Sequence, residues 1–313
     1  MNFSKYILFL VFILSFLSIT AQDDLMDMLE AEMQDTSENE NVWATFKAIK
    51  VINAQTIETV KGKSLDFRVG HRFGNIIEQA SGSGGFHEFF GIDNAADIRI
   101  SFDYGITDNI QIGFGRSKQM EALDGSFKWR FLSQTENSKM PVSAVWFTSA
   151  AFTPARDPDS LYQNLAHRLS YVHQLVIARK FSSWLSLEVL PTIVHRNVVR
   201  RYFNEKGQEE ENTFFALGIA GRIKVTKRIA LVADYFHLFS NYRSATADTR
   251  DPFTNYYAPL GVGVEIETGG HVFTINFTNS GGITENNFLP NTTDSWSTGA
   301  FKYGFNISRV FHF

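Results

Sequence analysis

Three features of the chain predict an all-β fold, an antiparallel up-and-down transmembrane β-barrel. Segments of strictly alternating apolar and polar residues recur from Ser64 to the end. The connections between them alternate in length, and the last segment stops on an aromatic at the final residue, Phe313. A secreted β-sandwich would also alternate. It gives no reason for the loop alternation, for aromatics near strand ends, or for the terminal Phe.

The first element is a leader. Lys5 supplies a positive start, Tyr6 to Ile19 an apolar run, and Ala21 a small residue before Gln22. These are the parts of a secretory signal peptide over residues 1–21. Its apolar run is shorter than the roughly 20 residues a spanning helix needs. Residues 22–43 follow as an acidic periplasmic segment carrying Asp23, Asp24, Asp27, Glu30, Glu32, Asp35, Glu38 and Glu40. The whole chain has a formal net charge of −4, yet residues 42–313 hold a slight excess of bases. Neither part has the charge excess or motifs of a nucleic-acid binder, so no nucleic-acid partner is expected. Cys is absent, which excludes disulfides, thiolate metal sites and lipid attachment to cysteine.

Residues 44–313 are the expected barrel domain. Leu65, Phe67, Val69, His71 and Phe73 alternate with Asp66, Arg68, Gly70, Arg72 and Gly74. Ile98, Ile100, Phe102 and Tyr104 alternate with Asp97, Arg99, Ser101 and Asp103, and Ile110, Ile112 and Phe114 with Gln111, Gly113 and Gly115. Further strands are expected at 124–133, 141–153, 165–181, 185–201, 213–225, 228–240, 258–268, 271–280 and 298–313. About twelve strands result. A hairpin over Phe46–Ile52 and Gln55–Val60 would make fourteen; otherwise that stretch lies in the lumen. Either even count returns the C-terminus to the periplasmic side. Short links such as Thr226-Lys227 and Gly269-Gly270 suit periplasmic turns, with Gly-Gly allowing positive φ at both central positions. Long polar links such as 75–94, 204–212, 241–257 and 281–297 suit outer loops. Lys118–Leu123 is short for an outer loop, and Gln134–Met140 is long for a turn.

On this register the lumen is lined by Asp66, Arg68, Arg72, Asp97, Arg99 and Asp103, by Lys128, Arg130, Arg168 and Glu188, and by Arg222, Asp234, Glu265, Glu267 and Lys302. A cation facing lipid at the midplane would cost about 2–4 kcal/mol, so these charges belong inside. They fit either a packed ion-pair network or a narrow polar pore. Inward Gly113, Gly115, Gly261 and Gly263 would leave space. His87 and Glu88, with Asp93 and Asp97, form a weak outer-loop candidate for a metal or hydrolytic centre. Their spacing fits no zinc pattern, and no metal or cofactor is expected. His237 and Ser240 near one strand end lie on opposite faces of a regular strand, so a nucleophile–base pair there would require a bulge or a neighbouring strand.

The run Ser64–Gly125 carries a resemblance. It includes Leu65-Asp66-Phe67-Arg68, His71-Arg72-Phe73-Gly74, Phe86-His87-Glu88-Phe89-Phe90-Gly91-Ile92-Asp93-Asn94, Asp103-Tyr104-Gly105-Ile106-Thr107-Asp108-Asn109 and Gly113-Phe114-Gly115-Arg116-Ser117. Thr45-Phe46-Lys47 and Ile52-Asn53 fit as well. Together these resemble the Bacteroidetes outer-membrane β-barrel family with domain of unknown function 5777. That resemblance implies a barrel in the outer membrane of a Gram-negative bacterium and no particular activity.

The expected function is a narrow porin-like pore or binding barrel for small polar solutes. The alternatives are a barrel-embedded hydrolase with an outer-loop site, or a structural or docking barrel of the envelope. The lipid bilayer and the outer-membrane assembly machinery are the expected partners, the latter reading Phe311 and Phe313 as an assembly signal. Deleting Phe313 should therefore lower the yield of heat-modifiable, membrane-inserted protein several-fold. Equal yields with and without Phe313 would show that this residue does not guide assembly.

Overall fold

The computed structural model describes residues 41–77, 89–157, 160–204, 206–243 and 255–313. Twelve antiparallel strands close into one barrel, each paired with its sequence neighbours, and the first with the last. They are β1 (Ser64–Asn75), β2 (Ala95–Thr107), β3 (Ile110–Ser117), β4 (Leu123–Leu132), β5 (Ser143–Phe152), β6 (Leu169–Lys180), β7 (Leu185–Arg196), β8 (Thr213–Lys224), β9 (Ile229–Phe239), β10 (Leu260–Thr268), β11 (His271–Thr278) and β12 (Lys302–His312). Closure pairs Leu65 with Phe311 and Arg68 with Ser308, so neither terminal strand has a free edge. The leader and most of the acidic segment lie outside the described residues.

Alternation explains the wall. In β8 the residues Phe215, Leu217, Ile219 and Ile223 are exposed, while Phe214, Ala216, Ala220 and Arg222 are buried. The same two-residue period runs round the barrel and gives a continuous apolar outer belt, as a fold surrounded by lipid requires. Aromatic rings gather towards both ends of the strands. Trp129 and Phe131 sit 5.5 Å apart near the turn end, and Phe73 and Tyr303 stack at 5.3 Å near the loop end. No described helix is long and apolar enough to cross a membrane.

Several elements differ from the sequence expectation. The strands are shorter at their outer ends: β7 stops at Arg196, and the segment before β6 is a 3₁₀ turn, Ala166–Arg168. Arg168 therefore lies on a loop rather than a strand, where its guanidinium donates to the carbonyls of Thr153 and Ala155 at 2.9 and 2.8 Å. Residues 44–63 add no strands to the wall. They fold inside it, with Ile52 and Ala54 fully buried. The β11–β12 connection is not a solvent loop either. It dips inward and forms a short helix, α1 (Glu285–Asn291), in which Glu285 to Pro290 are all buried.

The inner surface has two unlike sides. From β10 through β12 and β1 to β4 the buried inward residues are mainly polar. From β5 to β9 they include Val145, Phe147, Val172, Val176, Leu190, Val194, Phe214 and Phe236, all within one apolar cluster. Phe46, Val51, Ile52 and Ile57 of the internal segment and Phe288 and Leu289 of α1 complete that cluster. Apart from Gln174, Glu188, Thr192, Arg222 and Asp234, strands β5–β9 are thus largely apolar on both faces, because both faces meet hydrocarbon: lipid outside and the internal segments inside.

Ile219→Arg, on the outer face near the middle of β8, should destabilise the folded protein in lipid vesicles by about 2–4 kcal/mol in denaturant titrations. A change under about 0.5 kcal/mol would place this face away from lipid.

Candidate functional site

The lumen is filled by two segments that enter from opposite ends. The first runs from Asn41 to Lys63. Its entry is fixed at the turn end, where Val42 N–H donates to the Gln134 carbonyl at 2.7 Å and Lys180 Nζ to the Trp43 carbonyl at 2.9 Å. The chain rises to Val51, reverses, and returns to β1. Val51 N–H donates to Ala54 O at 2.9 Å and Thr56 N–H to Ile49 O at 3.0 Å, closing the hairpin.

Such a hairpin leaves amides and carbonyls without backbone partners, and burying them unpaired would be costly. The wall supplies the partners. Asp234 accepts from the backbone N–H groups of Asn53 at 2.6 Å, Ala54 at 3.0 Å and Ile52 at 3.3 Å, and from Asn53 Nδ2 at 2.9 Å. Arg72, fully buried, donates to the Ile52 carbonyl at 3.0 Å and to Asn306 Oδ1 at 3.2 Å. Lys128 Nζ reaches three carbonyls, of Ile49, Thr56 and Glu58, at 3.1–3.2 Å. Arg130 donates to the Ile57 carbonyl at 3.1 Å and pairs with the Glu58 carboxylate at 3.3 Å. Gln111 Oε1 accepts from Val60 N–H at 2.9 Å. Gly261 admits the turn: a Cβ there would come within 2.8 Å of Asp234 and 2.9 Å of Ile52.

The second segment descends from the β11–β12 connection. Asp97 accepts from Ile283 N–H at 3.2 Å and from Gln119 N–H at 2.9 Å. Ser149 Oγ donates to Asn286 Oδ1 at 2.8 Å, Asn286 Nδ2 donates to Ser170 Oγ at 3.1 Å, and Phe288 meets Phe236 edge-on at 5.2 Å. The segments lock at their tips. Lys50 Nζ lies 3.0 Å from the Glu285 carboxylate and donates to the Ile283 carbonyl at 2.7 Å, while Gln55 Nε2 donates to Glu285 at 3.1 Å.

The remaining charges expected in the lumen mostly pair with one another. Arg68 and Asp66 lie 2.9 Å apart and Arg222 and Glu265 2.7 Å apart; Arg99 binds Asp124 through both carboxylate oxygens. Asp103 accepts from Gln111 at 2.9 Å, and Glu267 meets Lys47 at 3.2 Å. Lys302 sits at the outer end on Asp294 and Asn75. Glu188 is buried where it faces the Ile57 amide of the hairpin and the Lys128 ammonium. Inward Gly115 leaves no open space, because the Arg99 guanidinium covers it. Asn53 and Asn306 join the internal hairpin to the wall, and Lys50 and Glu285 join the two internal segments to each other; the sequence reading missed all four. The readable signal for α1 was Phe288-Leu289-Pro290 inside an otherwise polar loop.

Hollows remain on either side of the filled centre. A cavity of about 40 Å³ lies between the two tips, beside Lys50, Arg99 and Glu285. An inner vestibule of about 360 Å³ is bordered by Trp43, Lys47, Glu267 and His312. An outer vestibule of about 480 Å³ is bordered by Tyr162, Arg168, Arg196, Arg200, Tyr202 and Glu210, with Asn286, Asn287 and Asn291 of α1 at its base. Just behind it Arg243 donates to Glu210 at 2.8 Å and to the Pro290 carbonyl at 3.0 Å. Burial, and then the neighbouring Arg196, lower Arg243 to about 10, so it stays cationic at neutral pH.

The weaker candidates do not assemble. His87 and Glu88 lie outside the described residues. His237 faces outward against Phe239, whereas Ser240 is buried and donates to Glu211. Among the described residues no three His, Asp or Glu side chains are placed to hold a metal. Phe311 and Phe313 are exposed at the turn end, with Phe313 N–H donating to Lys63 O at 3.2 Å.

The model of one family, the membrane-bound β-barrel domain DUF5777, matches residues 46–311. The chain belongs to this family. Its match takes in the internal hairpin as well as all twelve strands. This DUF5777 protein is a membrane-bound β-barrel. Among solved structures, the NanC porin is 8% identical with a TM-score of 0.45, over 80% of this chain and 99% of that one. An outer-membrane channel from Pseudomonas putida F1 is 11% identical with a TM-score of 0.45, over 82% of this chain and 98% of that one. LpxR from Salmonella typhimurium is 12% identical with a TM-score of 0.35, over 80% of this chain and 100% of that one. Likeness at this level does not bear on function. No curated protein matches the chain.

The absence of cysteine makes the hairpin easy to probe. Ala54→Cys, fully buried in the native barrel, should resist a membrane-impermeant maleimide. Adding Asp234→Ala should raise its labelling rate at least about tenfold, matching about 1.4 kcal/mol of lost closure. Unchanged labelling would show that Asp234 does not hold the turn.

Proposed function

We propose that this DUF5777 barrel is a gated narrow pore for small polar solutes, and that the structure is its closed state. One observation carries the reading: the wall's charged groups are used to hold the internal hairpin, chiefly by its backbone. Lys128 and Arg72 bind its carbonyls and Asp234 its amides. A barrel packed for rigidity alone would need no inserted segment tied chiefly through its main chain. With the hairpin and α1 withdrawn, the same residues would line a polar passage with mixed charge, a lining suited to small hydrated solutes. Twelve strands lie between the eight that side chains can fill and the sixteen that leave a wide channel.

The strand order also supports a role for the C-terminus. Phe311 and Phe313 stand exposed at the turn end, where assembly machinery meeting the chain from the periplasm would find them. Residues 1–21 would direct export and be removed.

Planar-bilayer recordings test the pore. The full chain should show rare, small openings. Deleting residues 41–60 while replacing Ile283–Pro290 by a flexible linker should give sustained openings of at least several-fold higher conductance. Heat modifiability confirms that the variant is folded. A folded variant lacking both segments that still seals the bilayer would overturn the pore reading.

A further inference from the structure

The hollows of the lumen stand in series. Thr284 and Asn286 border both the outer vestibule and the central cavity, and Ile49 borders both the central cavity and the inner vestibule. One partition thus comes from each internal segment. The central cavity is the smallest of the hollows, at about 40 Å³, with room for only a few water molecules.

Cross-strand register explains where that cavity lies. Asp103 of β2 pairs with Gly113 of β3, Gly113 with Ser126 of β4, and Ser126 with Ser149 of β5. Beyond Asp103, this row across the wall carries only short side chains. It ends at Val172 of β6, which belongs to the apolar cluster. Nearby, the long cations stand opposite small residues, Arg68 opposite Ser101 and Arg99 opposite Gly70. Across β6–β9, by contrast, Val172, Val176, Leu190 and Phe236 pack with the side chains of the hairpin and α1. The space between the tips therefore opens against the polar wall.

Among the described residues the charged groups bordering the cavity are Lys50, Arg68, Arg99, Asp103, Asp124 and Glu285. Lys50 meets Glu285 and Arg99 meets Asp124, while Arg68 meets Asp66. Asp103 is bonded by a neutral amide, that of Gln111 at 2.9 Å, and lies within electrostatic reach of Arg68, Arg99 and Lys128. Arg68 Nε is buried with no hydrogen-bond partner, so the lining keeps donor capacity. An apolar cavity of this size would stay dry, whereas one with several polar partners holds water.

We propose that the central cavity is the selecting section of the passage. Solutes cross the middle of the barrel between the two tips and the polar wall, past Arg68, Ser101 and Asp103, and not along the apolar β6–β9 side. The route depends on the pore reading and adds to it a path and a selecting group. A narrow section bordered by both signs passes small hydrated solutes of either charge, and Asp103 sets the balance between them.

Cysteine accessibility in the full-length, vesicle-embedded protein tests the route, and bilayer conductance of the same variants tests the pore. The probes are aminoethyl methanethiosulfonate, a small cation, and sulfonatoethyl methanethiosulfonate, a small anion. Both should modify Ser101→Cys at least about tenfold faster than Val176→Cys or Leu190→Cys. Adding Asp103→Asn, whose carboxamide oxygen can still accept from Gln111, should raise the ratio of anionic to cationic modification at least about threefold. Heat modifiability confirms that each variant is folded. A conducting barrel in which Ser101→Cys stays unreactive, or Leu190→Cys reacts as fast, would overturn the route and leave the pore standing. An unchanged ratio in the Asp103→Asn variant would overturn the part given to Asp103. A barrel that never conducts would refute the pore, and the route with it.

Discussion

A polypeptide hairpin inside a membrane barrel has no bulk water to satisfy its backbone. This constraint organises the interior of the protein. The turn at Ile52–Ala54 presents three amides in one direction, and a single carboxylate, Asp234, takes all three. The outward-pointing carbonyls of the same hairpin fall to Lys128, Arg72 and Arg130. Hydrogen bonds to ionised groups contribute about 1.5–3 kcal/mol each, against roughly 0.5–1.5 for neutral ones. The wall therefore places its charges opposite main-chain groups, and leaves the side chains of the hairpin to pack on Val145, Leu190 and Phe236. The polar and apolar sides of the lumen are two halves of one requirement.

The two internal segments are not held alike. The hairpin is fixed by charged groups at many points of its backbone. The α1 segment is held largely by neutral bonds, through Asn286 and Asn287, and by the burial of Phe288 and Leu289. Its charged ties are Asp97 at its start, Lys50 at its tip and Arg243 at its end. The outer segment is the looser of the two on this accounting. Lys50–Glu285 couples them, so displacement of α1 leaves a buried lysine without its carboxylate and weakens the hairpin tip in turn.

How much of this could be read from the chain follows from what strands and internal segments reveal. Strand number and inward residues were legible because a wall facing lipid forces a two-residue period, as in Leu65 to Phe73. Strand ends at Arg196 and Leu169 were less legible, since pattern continues past the point where pairing stops. The filling of the lumen was hidden for a different reason. Asn53 and Asp234 lie far apart in sequence, and neither residue type announces that one caps the other. Inward Val172, Val176 and Leu190 gave no separate signal, because an apolar residue on either face of a membrane strand reads alike. Glycines that looked like space, such as Gly115 and Gly261, are close approaches of Arg99 and of the hairpin turn. A missing side chain records contact as readily as room.

The outer mouth and the filled centre use their charges differently. In the filled centre most charges face an opposite charge or a bound carbonyl, so the field there is largely local. At the outer mouth Glu210 is shared by Arg196 and Arg243, and the Asp157 carboxylate lies within electrostatic reach of Arg168 and Arg200. A solute arriving from outside meets these side chains first, with the carboxamides of α1 directly beneath them. Whatever binds at the vestibule therefore touches the looser of the two internal segments. If the bound state favours a displaced α1, ligand binding shifts the barrel towards opening by no more than its difference in affinity for the two positions. The coupling then runs through one short chain of contacts, from the vestibule base at Asn286 and Asn287 to Glu285, and from Glu285 to Lys50 of the hairpin.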